Sequence, residues 1–281
     1  MKERVLIIGC GYVGTRLQER LLGSGYEALG LRRSGAAEIQ ADITQPSQLA
    51  AIDPDFDFVI NLASSTRGGL DDYRAVYFQG TRNVLAWLRP RPPKRYIYTS
   101  STSVYGQNDG RLVTEESPAE PDSATSKVLR ETEDLLLTQD QVPAVILRAS
   151  GIYGPDRGHL FQQFLRGEAV LRGDGSSFIN MMHLEDVAGA IEHCLPAGPL
   201  EKIYNLTDDE PVTQSDYFAW LAKTLRRPLP PSAPADPNRK RGLTNKRISN
   251  ARLKSTGYRF QFPTYREGYT AELRRLGLWV D

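Results

Sequence analysis

The chain has 281 residues, enough for one large domain or two unequal lobes with a sizeable core. Hydrophobic residues make up 40% and charged residues 25%, and the formal net charge of +1 supplies no global field for nucleic acid or an anionic membrane surface. Cys10 and Cys194 make no disulfide or metal pattern, and His159, His183 and His193 lack zinc-site spacing, so no metal is expected.

The chain starts "MKERVLIIGC", whose apolar run is too short for a signal sequence or a membrane span. No other stretch is long enough either, so the expectation is a cytoplasmic protein with no membrane partner. "RVLIIG" reads as a strand buried on both faces. Gly9, Gly11 and Gly14 follow in the spacing G-x-G-x-x-G, with Tyr12 and Val13 between them. "TRLQERLLGSG" then carries Leu17, Leu21 and Leu22 at helical spacing, and "YEALGLRR" reads as a second strand. Strand, glycine turn, helix and strand together predict a dinucleotide site. Gly9 allows the tight turn, Gly11 lets the backbone approach a pyrophosphate, and Gly14 lets helix and strand pack closely, while the helix N-terminus offers amide donors. The second strand ends in Arg32 and Arg33, with no carboxylate in "LRRS". Two guanidiniums suit a 2′-phosphate, which favours NADP over NAD.

Alternation continues through "EIQADIT", the strand "FDFVINLASST", the helix "DYRAVYFQGTRNVLAWL", the strand "KRYIYTSSTSVYG" and the strand "AVILRASGIYGP". Repeated strand–helix units predict an α/β fold, a Rossmann-type doubly wound parallel sheet. Sites in such sheets form at the carboxyl ends of strands, where Asp42, Ala63, Ser64, Ser101 and Ser150 fall, with Thr99 and Ser100 just before Ser101.

With these motifs in place the chain resembles the short-chain dehydrogenase/reductases, and within them the extended nucleotide-sugar epimerases and dehydratases. The resemblance runs through "GCGYVG", "ADIT", "NLASS", "GTRNVL", "YTSSTSVYG", "RASGIYGP", "FINMMHLEDVAGAI", "IYNLTDDEPVT" and "SNARLKSTGY". It implies that Asp42 and Ile43 hold an adenine and that Leu62, Ala63 and Ser64 line the cofactor. It implies that Ser101 is the catalytic hydroxyl and Lys127 the lysine of the Tyr-x-x-x-Lys motif. It also implies a cofactor domain of 1–155 plus 181–207, a smaller substrate lobe of 156–180 plus 208–281, and a nucleotide-sugar or other carbonyl or hydroxyl compound as substrate.

The chain departs from that family in three places. The residue four before Lys127 is Ser123, where the family has a tyrosine whose phenol exchanges the substrate proton. An alkyl hydroxyl is a weaker acid on a shorter side chain, so Ser123 cannot take over that role in place. The glycine spacing is G-x-G-x-x-G instead of the extended members' G-x-x-G-x-x-G, which points to the atypical subgroup. Thr102 and Ser103 stand where 4,6-dehydratases carry an acid–base pair, so that reaction is not expected.

Two readings follow: an NADP-dependent oxidoreductase or epimerase-like enzyme, or a cofactor-binding sensor without turnover. Tyr105 and Tyr153 could each supply a replacement phenol, or be packing residues. Glu115 and Glu116 read as solvated loop carboxylates, and His183 as a packing or a pocket residue. Arg239, Lys240, Arg241, Lys246 and Arg247 form a basic run that could meet a diphosphate or be a solvated loop, and "RRPLPPSAPADP" before it reads as an extended connector. By the resemblance, a homodimer would pair through helices 71–90 and 123–139, the first offering Tyr73, Val76, Tyr77 and Val84 as a surface to cover.

Overall fold

The computed structural model describes residues 2–65, 69–196, 202–234 and 245–279. The chain divides into two compact units, described separately. The first comprises 1–105, 118–148 and 187–204, and the second 106–117, 149–186 and 205–281.

The first unit is built on β1 (Arg4–Ile8), β2 (Glu27–Arg32), β3 (Ile39–Gln40), β4 (Phe58–Asn61) and β5 (Arg95–Ser101), joined by the strands Ala144–Ala149 and Ile203–Leu206. The sheet order is Ile203–Leu206, Ala144–Ala149, β5, β4, β1, β2, β3. β1 pairs in parallel with β2 on one side and β4 on the other. The chain therefore leaves β3 at one edge and re-enters beyond β1, and the strand order reverses between β1 and β4. Ligands in doubly wound sheets bind at such a switch point, outside the carboxyl ends of the strands. Val5, Leu6, Ile7, Val59, Ile60, Tyr96 and Ile97 are fully buried because helices cover both faces of the sheet, which is why these strands are continuous apolar runs.

The helix expected over 71–90 is three pieces: Leu70–Arg74, a π-helical turn at Ala75–Gln79, and Gly80–Leu88. Val76 and Val84 are buried within this unit, so they do not form the uncovered face that the sequence suggested. Tyr73 and Tyr77 are half-buried and pack on one another at 4.3 Å between ring centroids. The stretch "AVILRASGIYGP" is two strands. Ala144–Ala149 lies between β5 and the edge strand Ile203–Leu206, and Gly151–Tyr153 pairs in parallel with Met181–His183 in the second unit.

The second unit has short strand pairs around an aromatic core of Tyr153, Phe161, Tyr217, Phe218, Tyr265 and Tyr269. Tyr153 stacks on Tyr269 at 4.2 Å. Residues 106–117 join this unit because Leu112–Val113 pairs in parallel with Arg247–Ile248. The proline-rich connector carries the strand Ser232–Ala233, paired with Leu171–Arg172, and its later residues lie outside those described. Among the described residues no helix is long and apolar enough to cross a membrane.

Candidate functional site

The glycine turn leads from β1 into the helix α1 (Tyr12–Gly23). Gly9 has φ +82°, and a Cβ there would lie 2.6 Å from the Ala63 nitrogen, so only glycine fits beneath the loop that leaves β4. A Cβ on Gly14 would meet the Gly9 carbonyl oxygen at 3.0 Å and Ile7 Cγ2 at 3.2 Å, so this glycine lets α1 lie against β1. Gly11 differs. Its nearest neighbour to a built Cβ is the Gly9 carbonyl oxygen at 3.9 Å, and the space above it is open. Gly11 is also the N-cap of α1 and has no side-chain cap, and the first turn, with Tyr12 and Val13 half-buried, carries no acid. An end without a side-chain cap, together with the positive end of the helix dipole, suits an anion.

At the end of β2, Arg32 Nη2 donates to Thr15 Oγ1 at 2.8 Å, while its Nε is buried with no hydrogen-bond partner. Arg33 is exposed. A carboxylate does reach this strand, although none stands in "LRRS". Glu38 Oε2 accepts from the Gly30 amide at 2.8 Å, and that bond together with Arg32 lowers the carboxyl pKa. β3 has only two residues and pairs with Leu31 and Arg32, and Glu38 takes the amide one step earlier. Glu38 is thus held against the strand as well as charged.

Asp42 Oδ1 accepts from the Thr44 amide, which closes a tight turn, and the Ile43 carbonyl accepts from Asn83 Nδ2 at 2.9 Å. A Cβ on Gly80 would fall 2.7 Å from Ile43 Cδ1. The motif "GTRNVL" therefore serves Ile43: its glycine makes room for the side chain and its asparagine holds the carbonyl. Asn61 does the same for the β4 loop. It donates to Tyr96 Oη at 2.8 Å and Thr81 Oγ1 at 3.2 Å, and accepts from the Ala63 amide at 3.0 Å. Leu62 and Ala63 are half-buried and Ser64 is exposed. At the end of β5, the hydroxyls of Thr99 and Ser100 are buried without partners, as is that of Ser150 in the second unit. Buried hydroxyls are normally satisfied, so unused ones at a strand's carboxyl end fit a polar ligand.

Ser123 is the N-cap of the helix Ala124–Thr138. Its Oγ accepts from the Ser126 amide at 3.2 Å and donates to Ser126 Oγ at 2.8 Å. Ser126 Oγ in turn donates to Ser103 Oγ at 3.0 Å, and the Ser103 amide donates to Ser101 Oγ at 3.1 Å. One chain of serines thus ties the turn after β5 to the start of the helix, where Lys127 is exposed. The sequence does not single out Ser126 or link it to Ser103, because their meeting depends on packing between segments 23 residues apart.

Tyr105 and Tyr153 have packing roles. Tyr105 is fully buried beneath the guanidinium of Arg148, 4.7 Å from its ring centroid. Arg148 is held in turn by two bonds to the buried Glu133, at 2.6 and 3.0 Å. Tyr153 is 1% exposed, its hydroxyl packs over Gly268 without a hydrogen-bond partner, and burial and Asp208 push its pKa up. His183 is a buried packing residue. Its Nδ1 accepts from the Glu185 amide, and burial lowers its pKa to about 4, so its 3.7 Å approach to Glu272 is not an ion pair at neutral pH.

Glu115 corrects the expectation of solvation. It is buried, it accepts from the Asn205 amide at 2.8 Å, and desolvation raises its pKa. Glu116 is exposed and pairs with Arg252. In the basic run, Arg239, Lys240 and Arg241 lie outside the described residues. Lys246 is buried, which lowers its pKa to about 8, whereas Arg247 is exposed in the strand Arg247–Ile248 and donates to the Gly110 carbonyl at 2.9 Å. Among the described residues no cluster of His, Cys, Asp and Glu could hold a metal ion.

Comparison with known proteins adds four findings. The family described as NAD dependent epimerase/dehydratase matches residues 5–207. Protein YeeZ of Escherichia coli strain K12 is 28% identical over 277 residues, covering 93% of this chain and 97% of its own. An N-acetyl-alpha-D-glucosaminyl-diphospho-ditrans,octacis-undecaprenol 4-epimerase of Escherichia coli O157:H7 is 28% identical over 252 residues, covering 82% of this chain and 75% of its own. A solved structure described as an NAD-dependent epimerase/dehydratase from Methylobacillus flagellatus superposes with a TM-score of 0.79 at 32% identity, covering 99% of this chain and all of that one.

Proposed function

The chain belongs to the NAD dependent epimerase/dehydratase family, and on that premise we propose that it is an NADP-binding oxidoreductase or epimerase-like enzyme acting on a nucleotide-sugar or another carbonyl or hydroxyl compound. The observation that carries the NADP reading is the end of β2, where Arg32 is braced by Thr15 with its Nε unused and Arg33 stands exposed beside it. A 2′-phosphate would supply the missing acceptor for Arg32. When bound, the nicotinamide supplies hydride exchange at a substrate carbon.

The chain's own residues would bind and orient. Gly11 and the first amides of α1, at Tyr12 and Val13, receive the pyrophosphate. Asp42 and Ile43 flank the adenine. Leu62, Ala63, Ser64, Thr99 and Ser100 line the remainder, and Lys127 holds the ribose. Ser101, fixed by the serine chain, presents a hydroxyl to the substrate. The sugar class is supported by the 4-epimerase relative, whose substrate is an acetylglucosaminyl diphospholipid by its name.

One observation favours a second reading, a cofactor-dependent sensor. Ser123 is committed to capping its helix, and Tyr105 and Tyr153 are buried, so none of the three offers an accessible phenol. One experiment separates the readings. NADPH and NADH are titrated by calorimetry, and turnover is followed by nicotinamide absorbance with UDP-glucose and UDP-N-acetylglucosamine. Binding with turnover supports the enzyme and binding without it the sensor. Equal affinity for the two nucleotides removes the NADP assignment.

A further inference from the structure

The second unit contains a cavity of about 420 Å³ that the cofactor reading does not use. It is walled by Phe178 from the strand Phe178–Ile179, by Glu210 and Thr213 at the antiparallel strand Val212–Thr213, by the helix Gln214–Leu225 and by Arg266 at the start of the helix Tyr265–Arg275. Asp216, Trp220 and Lys223 follow one another at helical spacing on its helix wall. The volume is within the range of small-molecule sites, roughly 300–1,000 Å³.

The lining narrows the ligand class. Trp220 is half-buried and braced edge-on against Tyr265 at 5.4 Å, so its position in the wall is set by packing. Glu210 Oε1 accepts from Arg266 Nη2 at 2.9 Å, and Asp216 Oδ2 accepts from Thr213 Oγ1 at 2.6 Å. The lining thus carries two carboxylates and two cations, Lys223 and Arg266. A polyanion such as a diphosphate would meet Glu210 and Asp216 as like charges. A purely apolar ligand would desolvate four charged groups and return no hydrogen bonds. A hydroxyl-rich ring meets neither objection. Its C–H face can lie on the indole, its hydroxyls can donate to Glu210 and Asp216, and its oxygens can accept from Lys223 and Arg266.

We infer that this cavity is a saccharide-binding site for a single sugar ring, independent of any nucleotide. It stands apart from the cofactor reading, and free sugars should bind whether or not NADPH does.

The test is ligand-observed saturation-transfer NMR on the full chain with free glucose, galactose, mannose and N-acetylglucosamine, with UMP and inorganic diphosphate as competing classes. At least one sugar is expected to bind saturably in the millimolar range. Trp220→Ala should weaken that binding by about tenfold, a factor worth roughly 1.4 kcal/mol, and Asp216→Asn should weaken it measurably, with the NADPH titration unchanged in both variants. Because Trp220 packs on Tyr265 and its loss could unfold the unit, Lys223→Gln and Asp216→Asn, which alter exposed groups, decide the matter in that case. The inference is overturned if no sugar binds, if sugar binding survives these substitutions, or if UMP or diphosphate binds in a manner that they abolish. Sugar binding without any NADPH binding would instead leave this site standing and remove the cofactor reading.

Discussion

Two helix N-termini in the first unit have opposite construction. At α1 the cap is Gly11, there is no side-chain cap, and the space above the glycine is open. At Ala124–Thr138 the cap is Ser123, its hydroxyl takes the Ser126 amide, and the serine chain closes the end off. A helix end closed by a side-chain cap has less left to give a ligand, and one without such a cap is arranged for it. In this chain the contrast divides the fingerprint inherited from the family. The glycine turn after β1 remains open, and Ser123, four residues before Lys127, is a structural cap.

The sharpest way to break the comparison is within the open turn itself. Gly9→Ala should cost about 2–5 kcal/mol, from a left-handed backbone and a clash with the loop after β4, and abolish NADPH binding. Gly11→Ala should cost under about 1 kcal/mol yet weaken NADPH binding severely. Thermal denaturation and calorimetry on the pair separate the two, and equal stability losses would sink the distinction between a packing glycine and a ligand-facing one.

A closed polar group should reveal itself in stability instead of binding, and His183 tests that half of the contrast. Its pKa is lowered from 6.5 to about 4 in the folded chain, so the unfolded state takes up the proton first as pH falls. The wild type should therefore lose stability relative to His183→Gln between pH 6.5 and pH 4, by about 3 kcal/mol at 1.36 kcal/mol per unit, with no further change below that window. Parallel denaturant profiles of the two proteins across this range would refute the closed, neutral histidine.

Next in size is the anion site beyond the open turn. Arg32→Ala combined with Arg33→Ala should remove a preference of tenfold or more for NADPH over NADH, since a charge-assisted bond contributes about 1.5–3 kcal/mol. Calorimetry with both nucleotides reads this directly. Smallest is the closed end. Ser123→Ala should cost about 1 kcal/mol through loss of the cap, while Ser123→Thr keeps it, and neither should alter NADPH affinity. A Ser123→Ala protein with native stability and weakened cofactor binding would mean that this end is open after all.

What was legible in the sequence is what short-range sterics control. Continuous apolar runs marked the strands, and glycine spacing marked a turn that needs φ +82° and close approach. These depend on neighbours within one turn or one strand, so one sequence suffices to state them. The tertiary structure decided everything that depends on which distant segments share an interior. It placed Tyr105 under Arg148, buried Glu115 against the Asn205 amide 90 residues away, and brought Glu38 back to β2. It joined Ser103 to Ser126 and moved residues 106–117 into the second unit by pairing them with Arg247–Ile248. A residue's type limits what it can donate, accept or pack. Whether it meets water, a ligand or another side chain depends on long-range packing, which leaves no local periodicity in the chain.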